Sequence, residues 1–102
     1  MSGGIALTVM FFASLREQLA TESLALTLAP ESRQASDRWD RSVFISAVAE
    51  ALAGPRIDAQ TVIELLAAPN VRLAVNQTLV ADDDLVLTSG DTVAFLPPVT
   101  GG

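Results

Sequence analysis

Cysteine and histidine are both missing from these 102 residues, and all six cations are arginines, with no lysine among them. Without cysteine there is no disulfide framework, no thiolate nucleophile and no sulfur ligand for a metal. Without histidine the chain lacks the commonest general base and the commonest metal ligand. A self-contained active site would have to use paired carboxylates or a serine with an unusual base, and the scattered serines have no imidazole to activate them. Twelve acidic residues give a formal charge of −6, which argues against a nucleic-acid or anionic-membrane partner and fits a basic protein surface better. Long hydrophobic runs are also lacking: nothing approaches the roughly 18 apolar residues needed to cross a bilayer. The apolar stretch Ile5 to Ala13 has no lysine or arginine before it and no clean cleavage pattern after it. It reads as a buried strand rather than a signal sequence, so the expected compartment is the cytoplasm.

What is present is a single small domain's worth of hydrophobic residues, half of the chain, with 18% charged. A body this small has a high surface-to-volume ratio, so so much apolar content implies some exposed hydrophobic area and a partner to cover it. The most informative stretch is the end, Phe95-Leu96-Pro97-Pro98-Val99-Thr100-Gly101-Gly102. Two glycines without Cβ atoms can enter a slot that rejects a side chain, whereas Pro97 and Pro98 stiffen the stem that carries them. Residues 97–102, fully extended at about 3.3 Å per residue, reach roughly 20 Å. The expected division is a folded domain over 1–96 and an extended tail over 97–102, with the α-carboxylate of Gly102 as the chemical group. The bland alternative is a frayed terminus.

Along the chain, Ile5 to Phe12 alternates as a first strand, with Ile5, Leu7, Val9 and Phe11 on one face and Ala6, Thr8, Met10 and Phe12 on the other. Ser14 and Glu17 fit a capping box for a short helix through Ala20. Ser23 to Ala29 forms a second strand ended by Pro30. Glu31 to Arg41 is polar and reads as a surface loop whose lone Trp39 is a lid over the core or an interface anchor. Val43, Phe44, Ala47, Val48, Ala51 and Leu52 recur at helical spacing before the stop at Gly54-Pro55, making the principal helix. Asp58 caps a shorter helix that ends before Pro69. Val71 to Val75 and Gln77 to Val80 are further strands, Asp82 to Leu87 is a loop of partly extended character, and Ser89-Gly90-Asp91 turns into a last strand, Thr92 to Leu96. Helices are thus expected on one face of a sheet, an α+β architecture. Asp82-Asp83-Asp84 lacks the ligand spacing of a cation loop and reads as a solvated turn, so no metal site is expected.

Three segments carry a family resemblance: Val9-Met10-Phe11-Phe12-Ala13-Ser14-Leu15-Arg16-Glu17, Ala74-Val75-Asn76-Gln77-Thr78-Leu79-Val80, and the ending from Gly90 to Gly102. Together they resemble the sulfur-carrier (small) subunits of molybdopterin synthase, the MoaD family of ubiquitin-like β-grasp proteins. The resemblance implies a mixed sheet of about five strands packed on one main helix with shorter helices beside it, and a flexible Gly-Gly tail. It implies that an ATP-using, MoeB-like activating enzyme adenylates the Gly102 carboxylate and loads it with sulfur as a thiocarboxylate. The tail, Pro97, Pro98, Val99, Thr100 and Gly101, would then carry Gly102 into a MoaE-like large catalytic subunit, which transfers the sulfur to cyclic pyranopterin monophosphate. The complex is expected to be a heterotetramer in which the large subunit holds the acid–base groups, and this chain is expected to bind no cofactor of its own.

Pleating adds an inference independent of the family. If Phe11, Val93 and Phe95 point into the core, Phe12 and Leu96 point the other way. They form a candidate partner interface beside the tail, to which the matching family segment adds Leu79; the alternative is that helices cover them. Other functions remain open at this stage: a carrier for thiamine or tRNA thiolation, a ubiquitin-like modifier, or an interaction module with an inert end.

Overall fold

The computed structural model describes residues 4–29, 38–81 and 83–97. Seven strands and three helices follow one another as β1 (Ile5–Phe11), α1 (Ala13–Leu19), β2 (Ser23–Leu28), β3 (Arg38–Asp40), α2 (Arg41–Leu52), α3 (Ala59–Leu66), β4 (Arg72–Val75), β5 (Thr78–Val80), β6 (Asp84–Val86) and β7 (Thr92–Leu96). Five of the strands form one sheet in the order β2-β1-β7-β4-β5, and β3 and β6 form a separate ribbon. The central pair, β1 and β7, is parallel, with Val9 opposite Val93 and Phe11 opposite Phe95, and every other pair is antiparallel. First and last strands therefore lie side by side with the whole chain between them. This is the β-grasp arrangement expected from the sequence.

The alternation of β1 decides which face is dry. Leu7, Val9 and Phe11 are buried, and so are Leu26, Leu28, Leu73, Val93 and Phe95 from the neighbouring strands. Onto that face pack Leu15 and Leu19 of α1, Phe44, Ile45, Val48 and Ala49 of α2, and Val62 and Leu66 of α3. The Phe95 ring is the centre of the stack, parallel to Phe11 at 5.8 Å and to Phe44 at 5.9 Å between centroids. All three described helices are on the same side, so among the described residues the other face of the sheet carries none.

Three expectations are corrected here. Ser14 and Glu17 form no capping box: α1 starts at Ala13, its N-cap is Phe12, and no side chain caps it. The reason is that the chain turns out of β1 at once, so the Phe12 carbonyl itself accepts from the amides of Leu15 at 3.1 Å and Arg16 at 3.4 Å. Ser14 is then already inside the first turn. The polar stretch from 31 to 41 is not all loop, because Arg38–Asp40 forms β3 and Arg41 opens α2; residues 31–37 lie outside the described residues. Trp39 is fully buried opposite Leu85 on β6, as the lid reading required. Its indole N–H has no partner among the described residues. The segment from Asp82 likewise contains a true strand, β6, pinned by the 2.7 Å bond from the Arg41 amide to the Asp83 carbonyl.

Asp58 does cap α3, its carboxylate accepting from the Thr61 amide at 2.8 Å, and Asp40 caps α2 through the Ser42 amide at 3.0 Å. The turn before β7 needs Gly90 for its conformation, φ +95, and not for space, since nothing would touch an added Cβ. That turn is clamped to β1 by the Gly90 amide on the Ala6 carbonyl at 2.7 Å, and by the Thr8 amide on the Asp91 carbonyl at 3.0 Å.

Candidate functional site

The register of the sheet determines what lies on the helix-free face. Met10 of β1 is opposite Ala94 of β7, Ala94 is opposite Ala74 of β4, and Ala74 is opposite Leu79 of β5. These residues form one row across four strands, because directly paired residues share a face. One step nearer the end of β7, Leu96 pairs with Arg72. Phe12 keeps an extended backbone, φ −120 and ψ 154, and so continues the alternation of β1 onto the same face as Met10.

Two alanines in the middle of the row, flanked by Met10, Phe12, Leu96 and Leu79, make the face shallow at its centre. Ala74 is buried yet does not belong to the helix-packed core. Phe12 is 38% exposed and Leu79 57% exposed, and Leu96 is half-buried. The helices do not cover them. A hollow of about 430 Å³ opens among Met10, Phe12, Asn76, Gln77, Thr92 and Ala94. A larger hollow, about 510 Å³, lies between α2 and α3, lined among others by Arg41, Ile45, Ile63 and Leu66. None of its lining residues comes from β1, β5 or β7.

A polar knot borders the apolar row. Asn76 and Gln77 both have positive φ, 50 and 73, and make the two-residue turn between β4 and β5, a conformation in which asparagine is favoured. The Asn76 side chain accepts from the Thr92 amide at 3.0 Å and donates to the Asp91 carboxylate at 3.0 Å. The same carboxylate accepts from the Thr88 amide at 3.0 Å. The Asn76 side-chain bond first, then the Thr88 amide, hold the Asp91 carboxyl below the usual carboxylate range. Hairpin, turn and last strand are thereby locked together at the edge of the hollow.

β7 delivers the chain to Pro97, the last described residue there and half-buried. The expected tail residues Pro98, Val99, Thr100 and Gly101, and the expected chemical group on Gly102, lie outside the described residues. Of the expected interface residues, Phe12, Leu79 and Leu96 all fall on one face. Sequence reasoning did not single out Met10, Ala74, Ala94 or Arg72. Met10 had a signal, since it shares Phe12's parity on β1, whereas the alanines carry none.

The helix-lined β-grasp with an apolar outer face beside its last strand defines a ubiquitin-like protein. The chain belongs to the ThiS family, which matches residues 9–102. It is 36% identical over 102 residues to the molybdopterin synthase sulfur carrier subunit of Escherichia coli strain K12, covering 92% of this chain and 96% of that protein. Among solved structures it is similar to the small archaeal modifier protein 1 (SAMP1) of Methanosarcina acetivorans, with a TM-score of 0.63 at 17% identity over 97% of this chain and 98% of that one. It is also similar to a chain of the complex of subunits 1 and 2 of the molybdopterin-converting factor from Helicobacter pylori 26695, with a TM-score of 0.53 at 21% identity over 96% and 100%. At those identities the two structures speak for the fold.

Proposed function

We propose that this chain is the sulfur carrier of a molybdopterin synthase and works through the carboxylate of Gly102. What carries the reading is the 36% identity along nearly the whole length of the E. coli sulfur carrier. The fold likeness to the H. pylori two-subunit complex supports a large-subunit partner, and the apolar row of Met10, Ala94 and Leu79 with Phe12 and Leu96 is the surface such a partner would cover. Arg72, exposed beside Leu96, would border that contact with a cation in an otherwise acidic protein.

In this reading the activating enzyme converts a poor electrophile into a good one. The Gly102 carboxylate attacks the α-phosphorus of ATP and releases pyrophosphate; a sulfur nucleophile then displaces AMP, leaving a thiocarboxylate. The large subunit receives the tail and supplies the acid–base groups while sulfur moves to cyclic pyranopterin monophosphate. The folded body contributes binding energy remote from the reacting atom, which positions the tail for reaction. That division of labour suits a chain without histidine or cysteine.

Intact mass spectrometry after incubation with the activating enzyme, ATP and a sulfur donor tests this. The expected product is heavier by the difference between sulfur and oxygen and supports molybdopterin formation once the large subunit is added. A thiocarboxylate that feeds only thiazole synthesis or tRNA thiolation would overturn the pathway. A chain recovered joined to lysines of other polypeptides would make it a modifier, and an unchanged mass would remove the carrier chemistry altogether.

A further inference from the structure

The two edges of the sheet are protected very differently. β5 is only three residues long, whereas β2 at the other edge has six, Ser23-Leu24-Ala25-Leu26-Thr27-Leu28, with no charge, proline or glycine. Natural edge strands are blunted by shortness, charge, proline or a bulge, and β2 has none of these. The Phe11 amide donates to the Glu22 carbonyl at 3.0 Å, which sets the phase of the ladder with β1: Leu24, Leu26 and Leu28 turn their main-chain groups toward β1. Ser23, Ala25 and Thr27 therefore turn theirs to the open side, where no described strand lies.

We propose that a second copy of this chain pairs antiparallel along β2, about a twofold axis at Ala25. The sequence of the strand selects this occupant because it is complementary to itself. With Ala25 opposite Ala25, Ser23 falls opposite Thr27 of the second copy and Thr27 opposite its Ser23. All outward-turned amides and carbonyls are then paired, two hydrogen bonds to each residue pair. Leu24 falls opposite Leu26 on the core side, so both cores continue across the junction and the half-buried Leu24 is covered. Residue parity is preserved, so neither sheet is turned inside out. Glu22 meets Leu28 rather than another carboxylate, which lets two copies of equal negative charge approach. The pairing leaves β7, β4, β5 and the outer-face row untouched. An edge contact of this kind lies below the roughly 1,200 Å² of a standard interface, so the dimer is weak and concentration-dependent.

Because the chain has no cysteine, cross-linking reads the register directly. Opposed residues in a hydrogen-bonded antiparallel pair have Cα atoms about 5.5 Å apart, within the span of a disulfide. Two copies of residue 27 would be offset by four residues, about 13 Å along the strand. Under mild oxidation Ala25→Cys is expected to give a covalent dimer and Thr27→Cys none, while sedimentation equilibrium of the unsubstituted chain shows dimer growing with concentration and Ala25→Lys returns it to monomer. Ala25 is exposed, so neither variant at that position disturbs the core. A chain monomeric at every concentration, a dimer unaffected by Ala25→Lys, or equal cross-linking at positions 25 and 27 would each overturn the proposal. So would a monomer that instead captures an extended foreign peptide on β2.

Discussion

Asn76 and Asp91 show how much one pair of residues at the rim of the hollow holds together. Asn76 occupies the left-handed region, φ 50, and its side chain bonds both the Thr92 amide and the Asp91 carboxylate. Replacing it with alanine removes both bonds and leaves a Cβ-bearing residue without a local hydrogen bond in a costly conformation, so a loss of about 1–2 kcal/mol is expected in chemical denaturation. Asp91 adds a pH dependence whose sign follows from its lowered pKa. The folded protein keeps this group ionised at pH values where the unfolded chain would already be protonated. The stability it contributes is therefore complete above the unfolded carboxylate pKa, about 3.9, and is lost as pH falls through the lower folded value. In an acid titration followed by circular dichroism, Asp91→Asn is expected to start less stable at neutral pH and to lose less stability than the parent below about pH 4. An unchanged slope would show that the ionised carboxylate does not hold the turn.

Among the elements, α1 is the one whose ends depend most on backbone geometry. Ala20 closes it in the left-handed region, φ 53 and ψ 36, where its amide reaches the Glu17 carbonyl and the Thr21 amide reaches that of Arg16. This is a Schellman end, normally built on glycine. Ala20→Gly is expected to raise the midpoint of thermal unfolding, by the equivalent of about 0.5–1 kcal/mol, because relief of the left-handed penalty exceeds the entropy glycine adds to the unfolded chain. Ala53 closes α2 in an extended conformation, φ −63 and ψ 141, so Ala53→Gly should lower the midpoint; equal effects at both positions would refute the conformational explanation. These two alanines also mark the limit of what the sequence discloses. Alternation in Ile5–Phe11 and Thr92–Leu96 was enough to place both strands, the dry face of the sheet and the outward direction of Phe12 and Leu96. The left-handed conformations of Ala20 and of Ala13, φ 51, were not legible, because alanine disfavours that region and gives no sign of it. Nor was β3, whose Arg38 and Asp40 hide Trp39 in a polar run and whose partner β6 is more than forty residues away. The row through Ala74 and Ala94 was equally silent: a methyl side chain fits either face, and only the pairing register assigns it.

At the scale of the whole molecule the proposed function divides two tasks across the sheet, with stability on the helix side and recognition on the other. Phe12 is where that separation can be tested, because it belongs to both a helix terminus and the outer face. It is the N-cap of α1, a position where aspartate is among the favoured residues and where no side chain caps the helix at present. Phe12→Asp should therefore leave the fold intact and stabilise α1 by up to about 1 kcal/mol through the cap. The same change places a carboxylate in the middle of a contact that would exclude water, where truncation of a central aromatic residue alone costs about 2 kcal/mol or more. Binding to the large subunit is expected to weaken by at least about thirtyfold in calorimetry, while loading by the activating enzyme, read as mass gain, identifies whether that partner uses the same face. Deleting Gly102 is the complementary change: thermal stability and large-subunit binding should persist while the sulfur mass gain disappears. If Phe12→Asp binds the large subunit normally, the outer face is not its docking surface, whatever the tail does; if the chain lacking Gly102 still supports product formation with purified partners, the reactive group does not lie on that residue.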